Sequence, residues 1–139
     1  MFFDTSKGSL HAGSYFSGLQ GEADTGFFTA KFGSNCTTSG DYSFASGVNN
    51  VVSGERSAGF GSLNNITSDH ALLTGRYGQT NSDTLLAAAW GTGSPSVDGE
   101  GLIFEVKQGG RIVMANLPTT TIGLSAGDLW NNGGVINIV

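Results

Sequence analysis

Residues 40–53 read GDYSFASGVNNVVS, and residues 54–67, which follow directly, read GERSAGFGSLNNIT. Both stretches place glycine at the first and eighth positions, an acidic residue at the second and paired asparagines near the eleventh. This 14-residue pattern extends from residue 26 to residue 89, and glycine recurs in it at every seventh position, a repeat that we call the glycine beat. Its members are Gly26, Gly33, Gly40, Gly47, Gly54, Gly61 and Gly75, with Ser68 and Ser82 on the remaining beats. An internal period of this kind is typical of a stacked, repetitive fold.

A spacing of seven residues also suggests a heptad coiled coil, but the residue types exclude it. Each glycine inside a helix would cost about 1 kcal/mol relative to alanine, and the apolar a and d positions are absent. Glycine, asparagine, aspartate and serine instead favour tight turns, and glycine reaches positive φ without steric cost. The repeat therefore predicts a parallel β-roll whose 14-residue coil has two strands of about five residues, with the seven glycines as structural turn residues.

The remaining sequence divides into two flanking regions. In residues 1–25 glycine recurs at less regular spacing, and we interpret this region as an irregular β segment for docking. The β-roll follows over residues 26–90. Residues 91–139 are interpreted as a C-terminal hairpin region. There, strands 101–106 and 111–114 flank a Gly-Gly turn, and residues 131–134 precede a strand at 135–139. We expect an all-β protein.

So narrow a roll does not bury enough apolar surface to offset chain entropy by itself. Its sheet edges would also promote aggregation if they were left open. Four to five coils, each about 4.8 Å high, would form a short rod that needs neighbouring chains. We therefore predict parallel oligomerisation around the roll axis, and we expect Met1-Phe2-Phe3 to pack against a partner chain or a preceding assembly.

Composition excludes several classes of partner and site. The net charge is −5 and the six basic residues are scattered, so we expect no nucleic-acid partner. No apolar stretch approaches the roughly 20 residues that span a bilayer, so we expect no membrane insertion. The one cysteine, Cys36, excludes an intrachain disulfide framework and a cysteine-based zinc site, and we interpret it as a packing residue.

The repeats resemble the left-handed parallel β-roll of trimeric autotransporter adhesin heads and, more closely, related repeats in bacteriophage tail fibres. Residues 40–50 carry this resemblance, which covers about residues 26–90. A second resemblance lies at the end of the chain, where residues 117–135 are similar to the closing segment of phage tail-fibre proteins. Residues 90–93 and 104–112 are similar to the hairpin that follows such rolls. No stalk or membrane-anchor pattern follows the repeats, which favours a phage protein over a bacterial one.

The resemblance implies a structural virion protein, made in the host cytoplasm and located in the phage tail or fibre. It would act in host-surface attachment, binding a surface glycan or protein through a trimeric β-roll while docked on other tail or baseplate proteins. One alternative is a purely structural baseplate, collar or capsid decoration protein. A second is a fragment of a bacterial trimeric adhesin.

The residues point to binding rather than catalysis, so we expect a protein that is not an enzyme and uses no cofactor. His11 and His70 form no metal-ligand spacing, and no metal site is predicted. An acidic residue occupies the second position of four repeat units. These residues, interpreted as turn caps rather than as calcium or carbohydrate ligands, are Asp41, Glu55, Asp69 and Asp83.

Bulky and polar side chains occupy the third position of each repeat unit, and aromatic residues with arginine are frequent anchors of recognition surfaces. This column consists of Phe28, Tyr42, Arg56, His70 and Thr84. Packing of Phe28 and Tyr42 against a neighbouring chain is an equal alternative, and Trp130 is favoured as a trimer-core or tip residue. The candidate receptor-binding residues are Tyr42, Arg56, His70, Tyr77, Trp90 and Trp130.

Overall fold

A computed structural model describes residues 1–14, 25–91, 101–115, 117–133 and 135–139, with Phe2 and Val135 described by their backbone alone. Within this part of the chain every regular element is a β-strand. The strands are β1 (Phe2–Asp4), β2 (Ser9–Ser14), β3 (Ala30–Ser34), β4 (Thr37–Thr38), β5 (Phe44–Val48), β6 (Val51–Val52), β7 (Ala58–Ser62), β8 (Asn65–Ile66), β9 (Leu72–Arg76), β10 (Thr84–Trp90), β11 (Leu102–Lys107), β12 (Ile112–Met114), β13 (Leu129–Asn132) and β14 (Val135–Ile138). The predicted all-β class is confirmed.

The strands form a parallel β-solenoid of about four turns. Its broad wall is a nine-stranded sheet in the order β1-β2-β3-β5-β7-β9-β10-β11-β12, parallel from β2 to β10. The narrow wall opposite is the three-stranded parallel sheet β4-β6-β8. From β3 to β10 the register is 14 residues per coil, with Ala30 beside Phe44 and Phe44 beside Ala58.

The two strands of a coil differ in length, which corrects the expectation of two five-residue strands. The broad-wall strand β5 has five residues, whereas the narrow-wall strand β6 has two. Asn49 takes a left-handed φ of 53°, and Asn50 turns its side chain inward to the main chain of its own and the next coil. Because Asn49 and Asn50 form the corner, only Val51 and Val52 remain to form the narrow-wall strand.

The parallel stack begins earlier than residue 26. Strand β2 pairs with β3 in parallel, with Leu10 beside Ala30 and Gly13 beside Gly33. This step spans 20 residues rather than 14, and the longer step hides β2 from a search for a seven-residue beat. The segment 1–25 therefore supplies one broad-wall strand as well as β1.

Antiparallel strands cover both ends of the broad wall. Strand β1 pairs with β2, and β11 pairs with β10 and then with β12. The hairpin β13–β14 forms a separate two-stranded sheet. Both predicted C-terminal hairpins are confirmed, although Asn131 and Asn132 lie in β13 rather than in the turn. The connector at residues 92–100 lies outside the described residues.

The core lies between the two walls and is only a few side chains wide. Ala45, Leu73 and Ala87 from the broad wall and Val52 and Ile66 from the narrow wall are fully buried. Gly59 occupies the same inward column, and a Cβ there would lie 2.7 Å from Cδ1 of Ile66. The walls approach so closely at this coil that position 59 has no room for a side chain.

The repeating glycines serve close stacking between coils, and four of the seven also have positive φ, namely Gly33, Gly47, Gly61 and Gly75. Gly47 lies inside β5, and a Cβ added to it would lie 1.8 Å from the carbonyl oxygen of Gly61 in the next coil. Gly54 precedes a turn without a positive φ, and its Cβ would lie 2.0 Å from the oxygen of Ser68. Larger residues take the left-handed turn positions, at Phe28, Asn35, Tyr42, Asn49, Arg56, Leu63, His70 and Tyr77.

Candidate functional site

The turns that precede the broad-wall strands form the first edge of the solenoid. Its residues are Phe28, Tyr42, Arg56 and His70, each with φ between 53° and 59°. The rings of Phe28 and Tyr42 stack with centroids 5.4 Å apart, and Cζ of Arg56 lies 5.7 Å from the centroid of the Tyr42 ring. The first edge is therefore an exposed column in which Phe28, Tyr42 and Arg56 stack in sequence.

Acidic residues beside this column cap the turns. Oδ1 of Asp41 accepts a hydrogen bond of 2.8 Å from the N–H of Phe27, 14 residues earlier. Oδ1 of Asp69 accepts one of 2.8 Å from the N–H of Glu55 in the same way. The prediction of turn capping is confirmed for these two carboxylates. Glu55 instead forms an exposed ion pair of 3.3 Å with Arg56, a kind of contact that contributes little stability.

The first edge ends at His70, because the fifth residue of the predicted column has another role. Thr84 is fully buried and donates a hydrogen bond to Oε1 of Glu105. The antiparallel strand β11 lies beside Thr84 and encloses its side chain. His70 is exposed, and its N–H donates to the oxygen of Glu55. Among the described residues, no three His, Cys, Asp or Glu side chains form a group able to hold a metal ion.

The turns that follow the broad-wall strands form the second edge, with Asn35, Asn49, Leu63 and Tyr77 in the left-handed conformation. Cζ of Arg76 lies 5.2 Å from the ring centroid of Tyr77 and 4.8 Å from that of Trp90, which is 66% exposed. Two predicted candidates, Tyr77 and Trp90, thus come together around an arginine that the sequence analysis missed. The signal was present, because 14 residues separate Arg76 from Trp90.

Trp130 lies apart from both edges. It is half-buried in β13, where it pairs with Asn137 across the C-terminal hairpin. The contacts described for this part of the chain do not join it to Tyr77, Trp90 or the first edge. The candidate residues therefore divide into two clusters and one separate tryptophan.

The outer face of the broad wall is a largely apolar surface. Its side chains come from alternate strand positions whose neighbours point into the core, and Phe44 packs on Phe32 and Phe60 with ring centroids 5.7 and 5.2 Å away. Phe60, Leu72 and Leu86 are about 40% exposed. By the strand register, the apolar residues of this face are Phe3, Leu10, Ala12, Ala30, Phe32, Phe44, Ala58, Phe60, Leu72, Leu86, Ala88, Phe104, Val106, Ile112 and Met114. Ser46 and Thr74 are polar residues in the same register.

The opposite surface of the solenoid is largely polar. Outward positions of the narrow wall hold Thr37, Val51 and Asn65, and the residues after its strands are Ser39, Ser53 and Thr67. A polar wall is suited to water, whereas an apolar patch that extends along a whole sheet marks an interaction surface. The two walls therefore differ in the polarity of their outer surfaces.

A charged cluster lies under β11 and was not predicted. Glu105 and Lys107 are buried, and Nζ of Lys107 lies 2.7 Å from Oδ1 of Asp83 and 3.4 Å from Oε2 of Glu105. The hydrogen bond from Lys107 lowers the pKa of Asp83, and the same bond raises the pKa of Lys107. This cluster borders a cavity of about 300 Å³ whose lining includes Leu102 and Arg111. Buried charges that are paired in this way avoid an uncompensated desolvation cost.

Cys36 is buried, and burial raises the pKa of its thiol. A reactive cysteine needs the opposite shift, so its environment is that of a packing residue. In the described part of the chain, no helix is long and apolar enough to cross a membrane. Comparison with protein-family models, curated proteins and solved structures finds no match to this chain.

Proposed function

We propose that this chain is a structural fibre protein of a bacteriophage virion, which acts in host-surface attachment as a parallel homotrimer. The observation that carries the proposal is the asymmetry of the solenoid, apolar on the outer face of its broad wall and polar on its narrow wall. Three copies that turn their broad walls toward a common axis bury the apolar faces against one another. The stacked aromatic rings of Phe32, Phe44 and Phe60 then form part of the trimer core.

The same arrangement presents the two edges at the outside of the trimer. Aromatic and arginine side chains then occur three times on one particle, at Tyr42 and Arg56 on the first edge and at Arg76 and Trp90 on the second. Repeated contacts of this kind raise the overall affinity for a repetitive surface through effective concentration. A polysaccharide-coated bacterial surface offers such repeated sites.

Binding of the labelled full chain to an array of bacterial surface polysaccharides and to isolated bacterial envelopes tests the proposal. We expect saturable binding to an envelope or polysaccharide, and we expect Tyr42→Ala or Trp90→Ala to weaken it. Trp130→Ala serves as the comparison, because Trp130 lies away from both edges. A stable oligomer that binds no surface material contradicts the attachment role.

A purely structural virion role is the second candidate, and the C-terminal region favours it. A groove of about 420 Å³ between β12 and the terminal hairpin is lined by Ile112, Val113, Met114, Leu117, Asn131 and Ile136. Ile136 and Ile138 are 57% and 70% exposed. An apolar surface here suits another virion protein, which would dock on the chain without contacting a host.

A further inference from the structure

We propose that the cluster of Arg76, Tyr77 and Trp90 on the second edge binds the carboxylate of an acidic sugar. This inference rests on the proposed attachment function and deepens it, because it names the ligand class and the site. The cluster lies where strands β9 and β10 end side by side, with Arg76 and Trp90 paired in register.

Arg76 differs from Arg56 and Lys107 in its partners. Lys107 pairs with Asp83, and Arg56 pairs with Glu55, whereas Arg76 has no carboxylate within ion-pair distance among the described residues. Its Nε is buried without a hydrogen-bond partner among the described residues. A guanidinium in this state presents a free bidentate edge to an anion.

Two aromatic rings lie next to the guanidinium of Arg76. Cζ of Arg76 lies 5.2 Å from the centroid of the Tyr77 ring and 4.8 Å from that of the Trp90 ring. Such cation–π contacts restrain the guanidinium beside the two rings. A planar guanidinium matches the planar geometry of a carboxylate and can bind it through two parallel hydrogen bonds.

A sugar ring is indicated by the state of Trp90. Its side chain is 66% exposed, and Arg76 is its one ring contact among the described residues. The indole therefore keeps a broad apolar surface beside an anion site. A pyranose ring has an apolar C–H face that stacks on such a surface, and a carboxylate on that ring would reach Arg76.

Main-chain contacts hold the cluster in place before a ligand arrives. The N–H of Gly91 donates to the oxygen of Arg76 at 2.8 Å, and the N–H of Trp90 donates to the oxygen of Gly101 at 2.9 Å. A Cβ on Gly101 would lie 2.1 Å from the oxygen of Tyr77, so the backbone segments are in close contact. A preorganised site loses less conformational entropy on binding.

The first edge offers a matched comparison that lacks these properties. Arg56 also lies over a tyrosine, Tyr42, but its guanidinium is paired with Glu55. Phe28 stacks on the Tyr42 ring, which leaves that ring less free to accept a sugar. The geometry therefore assigns the acidic sugar to the second edge.

Calorimetric titration of the full chain with defined polymers tests this assignment. The probes are polygalacturonate and polysialate, which carry carboxylates on different sugars, and polygalacturonate whose carboxylates have been reduced to alcohols. We expect wild-type protein to bind at least one carboxylated polymer and to lose that binding with the reduced polymer. Arg76→Gln should weaken binding roughly 10- to 100-fold, and Trp90→Ala should also weaken it, whereas Arg111→Gln, at an exposed arginine away from both edges, should change it less than about twofold.

Circular dichroism and mass measurement establish that each variant keeps the fold and assembly, and the reduced polymer tests the carboxylate without any substitution. Failure to bind either carboxylated polymer at millimolar sugar overturns the inference, as does equal binding of the reduced polymer. If neutral polysaccharides bind and Arg76→Gln has no effect, the acidic-sugar site is wrong while attachment stands. If no surface polysaccharide or envelope binds, both proposals are wrong.

Discussion

Asn50 joins its own coil to the next one, because its Oδ1 accepts a hydrogen bond of 3.1 Å from the backbone N–H of Asn64. Its Nδ2 donates to the carbonyl oxygens of Ser46 and Gly61, both at 2.9 Å. Asn50 is completely buried, so no water replaces these partners. One side chain thus satisfies three main-chain groups at the corner of the coil.

Asn64 repeats this arrangement one coil later, and its removal is the first prediction. It donates to the oxygens of Phe60 and Gly75 and accepts from the N–H of Gly78, each at 3.0 Å. Asn64→Ala leaves these groups buried without partners, which we expect to lower the free energy of unfolding by about 3 kcal/mol or more. Urea denaturation at fixed protein concentration measures the loss.

Asn65→Ala is the matched control for this variant. Asn65 is half-buried, and its amide makes one long hydrogen bond of 3.3 Å to Gln79. We expect a change of less than about 1 kcal/mol. If Asn64→Ala and Asn65→Ala lowered the free energy of unfolding equally, the stabilising role given to the buried hydrogen bonds of Asn64 would be wrong.

Leu63 is expected to be a destabilising residue, because it holds a left-handed φ of 57°. The left-handed conformation costs most non-glycine residues about 1–2 kcal/mol, whereas asparagine tolerates it. In the same column, the amide of Asn35 donates to Asn49 at 2.7 Å. Leu63→Asn should therefore raise the free energy of unfolding by about 1 kcal/mol, while Leu63→Ala should not raise it. Thermal denaturation of the two variants side by side separates these outcomes, and equal melting temperatures would refute the prediction.

Gly54 tests whether the glycine beat serves close stacking. Its φ is not positive, yet a Cβ would lie 2.0 Å from the backbone oxygen of Ser68. We expect Gly54→Ala to cost about 3 kcal/mol through this contact alone.

Ser68 occupies the same position one coil later and provides the control. Its Oγ is buried without a hydrogen-bond partner among the described residues, so Ser68→Ala should be neutral or slightly stabilising. Chemical denaturation of both variants measures the contrast. A mild effect of Gly54→Ala would show that the coils are able to separate without much loss.

The ion pair between Asp83 and Lys107 predicts a defined pH dependence. The folded-state pKa of Asp83 is lowered from its usual 3.8, so the stabilisation is present above that value and is lost as pH falls through the lower folded pKa. The pKa of Lys107 is raised from 10.5, so its share is present below that value and is lost as pH rises through the higher folded pKa.

Asp83→Asn isolates this pair while Glu105 keeps Lys107 as a neighbour. The difference in melting temperature between wild type and this variant should be constant from about pH 5 to pH 9. It should shrink below 3.8 and again above 10.5. A difference that persists at pH 2 would rule out the ion pair as its source.

Sequence periodicity predicted the 14-residue coil and its register, and turn residues between apolar runs predicted both C-terminal hairpins. It did not reveal β2, because a 20-residue step interrupts the beat before Ala30. Nor did it show that Cys36 occupies the same inward position in its coil as Asn50 and Asn64 in theirs, since only the folded coil shows which side chains turn inward.

The candidate site was predicted only in part. Spacing placed Tyr42 and Arg56 in one column, because both follow a repeat glycine by the same two positions. Thr84 was wrongly included in this column. The repeat does not show that β11 pairs with β10 and covers Thr84. The grouping of Arg76 with Trp90 depends on register at the end of β10, where the repeat has already lost its glycine.

The mass of the folded particle in solution tests the central claim most directly, because the claim is that the broad wall's outer face is covered by copies of the same chain. Sedimentation equilibrium of the full chain at micromolar concentration should give three times the chain mass of 14.3 kDa. Leu72→Arg, which places a charge on the outer face, should weaken that assembly. A stable, cooperatively folded monomer of 14.3 kDa would contradict the account.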